Sequence, residues 1–136
     1  MKLSRPAFYL LSFTWGLPLT LCGCFVAAAL RLSGKKPERF GLCRSFRVGK
    51  TGWGGLELGP FFLRDHDSGD ELSAHELGHG IQNCLLGPLM IPLVSIPSAV
   101  RYHIRRKRGI TSGYDDIWFE KTATKLGKKY LSGRKL

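Results

Sequence analysis

The chain has 136 residues, which bounds it to one small domain with a modest core. Its 21 Lys and Arg against 10 Asp and Glu give a net charge of +11; in an aqueous protein that points first to nucleic acid, and beside a membrane to basic residues at the interface. Four cysteines with no CxxC pair exclude a cysteine-built zinc knuckle, a thioredoxin-like site and a disulfide framework, and favour a reducing compartment.

Residues 6–30 carry no formally charged side chain. A run of this length exceeds the roughly 20 residues needed to cross a bilayer, so residues 1–33 are expected to form an N-terminal transmembrane segment. A cleavable signal peptide is the rival, with Ala27-Ala28-Ala29 imitating a cleavage site, and Leu21-Cys22-Gly23-Cys24 loosely resembles a lipoprotein acylation site. The run is too long for a signal h-region, which favours the span. Lys2 and Arg5 precede it, whereas Arg31, Lys35, Lys36, Arg39 and Arg44 follow. The positive-inside rule then puts the N-terminus outside and the rest of the chain in the cytoplasm.

Residues 34–127 read as the main domain. Ser45–Val48 and Leu56–Leu63 are strand candidates around a turn at Gly49–Gly55, with Gly59-Pro60 as a bend inside the second. Leu56 and Leu58 share one strand face and Glu57 takes the other. A polar loop at Arg64–Asp70 leads to a helix expected over Asp70–Leu85, capped by Ser68 or Asp70 and stopped by Gly87-Pro88. Leu77–Val100 has no charge apart from His79. Pro88, Pro92 and Pro97 exclude one continuous spanning helix there, so the segment is expected to skim or dip into an interface, or to line the core. Arg101–Arg108 is the basic end of a helix begun near Pro97, suited to anionic headgroups. Asp115 can cap a last helix reaching Leu126, with Gly127 as its stop and residues 128–136 as a basic tail.

The chemistry is concentrated in His75-Glu76-Leu77-Gly78-His79. Histidines four apart on a helix share a face and can hold one zinc ion; Glu76 then sits where it can deprotonate a bound water. A further protein ligand is needed, and His66, His103, Glu120, Asp115 and Asp116 are the candidates. His103 lies in a basic run, where a dication meets like charge. Glu120 is preferred. It lies among Ile117, Trp118, Phe119 and Ala123 on a face that should pack inward, where a carboxylate needs a partner. An ion pair with Lys121, Lys125 or an arginine is the competing explanation.

The HExxH helix followed by Trp118-Phe119-Glu120-x-x-Ala123 resembles the gluzincin pattern of zinc metallopeptidases, over Glu71–Pro97 and Tyr114–Gly127. His75–Gln82 and the Gly-Pro-Leu-Met-Ile-Pro stretch also resemble small bacterial HExxH membrane proteins with one N-terminal span. The chain is thus expected to be α+β and mostly helical: a transmembrane helix, a small β-hairpin and, by the resemblance, a zincin-like helical domain. It implies a zinc-dependent hydrolase acting on peptides or proteins, with His75, His79 and Glu120 as ligands and Glu76 as general base. Gluzincins often carry an acidic residue four positions after the third ligand to orient a histidine. Here that position is Thr124, so Asp116 or a backbone carbonyl is expected to take the role. Tyr114 and His103 are the candidates for stabilising the transition state. If His75, His79 and Glu120 meet, the intervening Leu85–Val100 cannot fully cross a bilayer. Membrane lipids are an expected partner. A non-catalytic membrane protein with a structural metal is the alternative function. Nucleic-acid binding ranks last, because basic and aromatic residues are not interleaved as in known modules.

Overall fold

The computed structural model describes residues 3–50 and 52–133. Its apolar N-terminal run folds as two helices, α1 (Arg5–Phe13) and α2 (Leu17–Leu32), bent by 99° at the break between them. Among the described residues no single helix is long and apolar enough to cross a membrane. The expected single N-terminal span, and the membrane localisation with a cytoplasmic domain drawn from it, are therefore corrected. The physical reason lies in Thr14–Gly16 and Pro18. The Thr14 hydroxyl donates to the Leu10 carbonyl at 2.6 Å, and Pro18 occupies the first turn of α2, where its missing N–H costs nothing. The break turns α1 inward, so that Phe8 is buried in the main core with Leu42, Cys43, Phe62, Leu77 and Ile81.

Over the described residues the fold is mixed α/β, 62% helical with one small sheet. Strands β1 (Glu38–Phe40), β2 (Cys43–Arg47), β3 (Gly55–Leu58) and β4 (Phe61–Arg64) lie in the order β1-β2-β4-β3. The expected single hairpin is replaced by two, β1–β2 and β3–β4, joined through a parallel β2–β4 pairing in which Ser45 stands beside Phe62. Gly59-Pro60 is the turn between β3 and β4 rather than a bend within one strand. Gly59 takes φ +72°, and a Cβ there would fall 2.6 Å from the Thr20 hydroxyl of α2, so only glycine fits. The side chains of β3 alternate as expected, but the polar one goes inside: Glu57 is 6% exposed and Leu56 45%.

Helix α3 (Asp70–Leu86) begins without a side-chain cap. Its N-cap is Gly69, and the Ser68 hydroxyl donates instead to the Asp65 carbonyl at 3.0 Å. Asp70 and Glu71 still place negative charge in the first turn. Beyond α3 the chain bends by 118°. A 3-10 turn at Gly87–Leu89 and a π-helical turn at Ile91–Ser95 lead into α4 (Ile96–Lys107). Each irregular turn contains a proline, whose missing donor breaks the regular ladder.

The last helix, α5 (Trp118–Leu131), runs past Gly127. The expected stop there, and the tail from residue 128, are corrected: residues 128–131 are helical, and residues 134–136 lie outside the described part. Gly127 is a contact rather than a terminus. A Cβ on it would fall 1.8 Å from the Ala74 carbonyl of α3, and one on Gly78 would fall 1.7 Å from the Ala123 carbonyl of α5. The two helices thus touch backbone to backbone. A second core cluster of Leu19, Met90, Val94 and Phe119 ties α2, the irregular segment and α5 together.

Candidate metal centre

One turn of α3 separates His75 from His79, and both rings are buried, 4.6 Å apart and edge to face. The glycine contacts bring the first turn of α5 alongside, and Glu120 arrives fully buried between them. Its Oε1 lies 2.8 Å from His79 Nε2 and 3.5 Å from His75 Nε2. One ligand atom from each of the three residues falls within 4.8 Å of the others, a group that could hold a metal ion.

The hydrogen bonds around the group test whether it suits a cation. Gln82 donates through Nε2 to the Phe119 carbonyl at 2.9 Å, which turns its Oε1 toward His79 Nδ1 at 2.7 Å. That carbonyl oxygen can only accept, so His79 carries its proton on Nδ1. In the neutral ring, Nε2 then presents a lone pair to a carboxylate oxygen 2.8 Å away. Two acceptors in contact need a cation or a second proton between them. Glu120 Oε1 has no hydrogen-bond donor of its own among the described residues, while Oε2 accepts from the Ser98 hydroxyl at 3.1 Å. Two imidazole nitrogens and one carboxylate oxygen, buried and short of donors, fit a metal cation.

Burial opposes the charge on Glu120, but the adjoining His75 and His79 rings outweigh it and hold the carboxyl below the usual range. Glu76, one residue after His75, is also buried. Burial pushes its carboxyl up to about 7, with His79 pulling it down and Glu120 pushing it further up. Its room is supplied by Gly55 on β3, where a Cβ would fall 3.1 Å from both Cγ and Oε1 of Glu76.

Glu76 and His79 form one wall of a cavity of about 250 Å³. Gly55, Leu56 and Glu57 of β3 line another side, and β3 is an edge strand paired only with β4 among the described residues. Met90, Val94, Ser98 and Tyr102 form the roof. The Tyr102 hydroxyl donates to the Trp53 carbonyl, fastening α4 to the loop before β3.

Of the expected site residues, His75, His79 and Glu120 come together with Glu76 beside them. Tyr114 is half-buried with its ring 5.8 Å from His75, and its hydroxyl lies beside Glu120 and Ser98. Burial, then the Glu120 carboxylate, pushes that hydroxyl well above its usual range, so it stays protonated. Arg101 holds the Tyr114 loop by donating to the carbonyls of Tyr114 at 2.6 Å and Gly113 at 3.0 Å. His103 lines the cavity from an exposed position on α4, outside the metal group. His66 is exposed in its loop, Asp116 is exposed, and the Asp115 carboxylate is 3.9 Å from His75 Nδ1. Lys121 and Lys125 are exposed, and the cation nearest Glu120 is Arg101 at 3.9 Å, too far for a hydrogen bond.

The residue orienting His75 is Thr124, whose hydroxyl is 2.7 Å from Nδ1. This corrects the expectation that Asp116 or a backbone carbonyl fills that role. Gln82 and Ser98 were not foreseen as supports. Gln82 has a local signal, since it lies three residues after His79 and hence on the same helix face. Ser98 has none, because its approach to Glu120 depends on the path of the irregular segment. No protein-family model, no curated protein and no solved structure matches the chain.

Proposed function

We propose that the chain is a zinc-dependent peptidase of the gluzincin type, with His75, His79 and Glu120 as metal ligands and Glu76 as general base. The observation that carries this reading is the juxtaposition of Glu76 with the metal group on one wall of a cavity that an edge strand also lines. A bound zinc ion would supply the Lewis acidity that activates water and polarises a carbonyl. Glu76, buried on the cavity wall beside the metal group, is placed to take a proton from water and hand it to the leaving amine. The protonated Tyr114 hydroxyl beside Glu120 can donate to the substrate carbonyl oxygen as negative charge develops there. The free edge of β3 offers backbone groups to an extended peptide, aligning its scissile bond across the cavity wall.

The alternative of a purely structural metal asks the ion to hold α3 to α5. That contact already rests on backbone packing at Gly78 and Gly127, which favours the catalytic reading. Glu76→Gln tests it. The variant should bind zinc as the wild type does and lose about 10²- to 10⁴-fold in peptide hydrolysis. Undiminished hydrolysis, or purified wild-type protein without zinc by elemental analysis, would sink the proposal.

A further inference from the structure

An aqueous amphipathic helix turns its apolar stripe inward, and α2 has apolar side chains on both sides. Leu19, Thr20, Gly23 and Ala27 face in. The opposite stripe, at Leu21, Cys22, Phe25, Ala28, Ala29 and Leu32, is exposed and contains no polar head, with Phe25 at 76% and Leu32 at 90%. The segment from the end of α3 through α4 repeats the arrangement. Met90 and Val94 are buried, while Leu85, Leu89, Leu93, Ile96, Val100 and Ile104 are exposed at three- and four-residue spacing.

These stripes belong to elements that touch. The Trp15 indole donates to the Leu85 carbonyl at 3.2 Å and lies against Gly87, where a Cβ would meet the ring at 2.3 Å. Leu19 of α2 packs with Met90 and Val94. The bends at Thr14–Gly16 and Leu86–Met90 therefore lie together, with Phe13, Trp15 and Leu89 exposed around them. Scattered exposed leucines are ordinary, but continuous stripes on adjoining elements mark an interaction surface.

Charge identifies the partner. Residues 1–37 and 77–114 contain no Asp or Glu. Arg31, Lys35 and Lys36 follow the first stripe, and Arg106, Lys107 and Arg108 end the second, all exposed. A second copy would set these cations against their own kind, whereas anionic headgroups complement them. We infer that this face docks on an anionic lipid bilayer. Docking is along the surface, without spanning: the bent pairs lay their leucine and phenylalanine stripes into the acyl boundary and their lysines and arginines among the headgroups. Because the inner side of the second segment roofs the cavity, docking sets the cavity beside the membrane. The inference stands apart from the proposed zinc chemistry, and its test reads no activity.

The full chain is sedimented with vesicles of phosphatidylcholine mixed with phosphatidylglycerol and with vesicles of phosphatidylcholine alone. Binding is expected to the mixed vesicles, weakened by salt and by omission of the anionic lipid. Phe25→Glu and Leu93→Glu, both away from the metal group, should each lower partitioning on the order of tenfold. A second measurement needs neither variant: an environment-sensitive fluorophore on exposed Cys22, in a Cys24→Ser chain, should shift to the blue on mixed vesicles. Failure of the wild type to bind, full retention of binding by both variants, or an unshifted fluorophore overturns the inference. So does self-association in solution that Phe25→Glu and Leu93→Glu abolish, which would assign the face to a second copy.

Discussion

Replacing Gly78 with alanine adds one methyl group at the point where α3 and α5 touch. The new carbon would lie 1.7 Å from the Ala123 carbonyl oxygen, so α5 must retreat by more than about 1 Å to restore contact distance. Glu120 stands one turn from Ala123 and moves with it. Metal ligands must hold their distances to about 0.2 Å, so a shift of this size removes Glu120 from the group. Overpacking costs about 1–3 kcal/mol, partly offset by roughly 1 kcal/mol from the better helix propensity of alanine. The expected outcome is a modest loss of thermal stability with at least about a 100-fold loss of zinc affinity, read by competition with a chromophoric chelator. Gly80→Ala is the control. It makes the same propensity change, but its Cβ meets Cys43 Sγ and the Gly59 carbonyl at 3.1 Å, a squeeze that small shifts relieve. Wild-type zinc affinity in Gly78→Ala would refute the claim that backbone packing places Glu120.

Glu120→Ala should lower zinc occupancy in purified protein while His103→Ala leaves it unchanged; the reverse pattern would move the third ligand to α4. Gln82→Ala frees the His79 ring from its fixed tautomer and should weaken zinc binding by about 10- to 100-fold, a loss that chelator competition would detect and whose absence would show the orientation to be unimportant. Burial, and secondarily Glu76, pushes the Glu57 carboxyl well above its ordinary 4.5, so the folded chain keeps a proton that the unfolded chain releases above that pH. Stability is therefore lost as pH rises from there, by about 1.4 kcal/mol per unit until the folded-state value is passed. Glu57→Gln removes this carboxyl's share of the slope and leaves that of Glu76: its denaturation midpoint should match the wild type near pH 4 and exceed it near pH 7, and a gap that does not widen with pH would count against the buried carboxyl.

The metal helix is legible because its information is local. Two histidines at helical spacing face one way whatever surrounds them, and a proline-containing break follows where expected. Glu120 is legible for a different reason: a carboxylate among Ile117, Trp118, Phe119 and Ala123 on an inward-packing face invites a long-range partner, although Lys121 beside it left a local ion pair open. Hydropathy misleads at residues 6–30 because it counts apolar side chains and not the direction of the chain; Thr14–Gly16 and Pro18 turn what looks like one span into two helices, one of which buries Phe8. The parallel pairing of β2 with β4 leaves no trace in either strand, since the chain between them must first form β3. Glu57 inverts the usual rule because α3 and the sheet close over it, and Leu56 is left to face the cavity. Thr124 looked like a missing acid because an acid was the expected partner, although a hydroxyl at the same helical position reaches His75.

Met90, Val94, Ser98 and Tyr102 follow one another at intervals of four and all face the cavity. A regular α-helix advances about 100° per residue, so four-residue steps drift around its surface by roughly 40° each time. The π-helical turn at Ile91–Ser95 is wider than an α-turn and absorbs part of that drift. The segment thus behaves as a phase corrector between α3 and α4. Deleting a single residue from it would let the turn relax to an ordinary helix and rotate everything downstream, carrying Ser98 off Glu120 and Tyr102 off the loop before β3. Length, more than side-chain identity, is the quantity this stretch of the chain has to conserve.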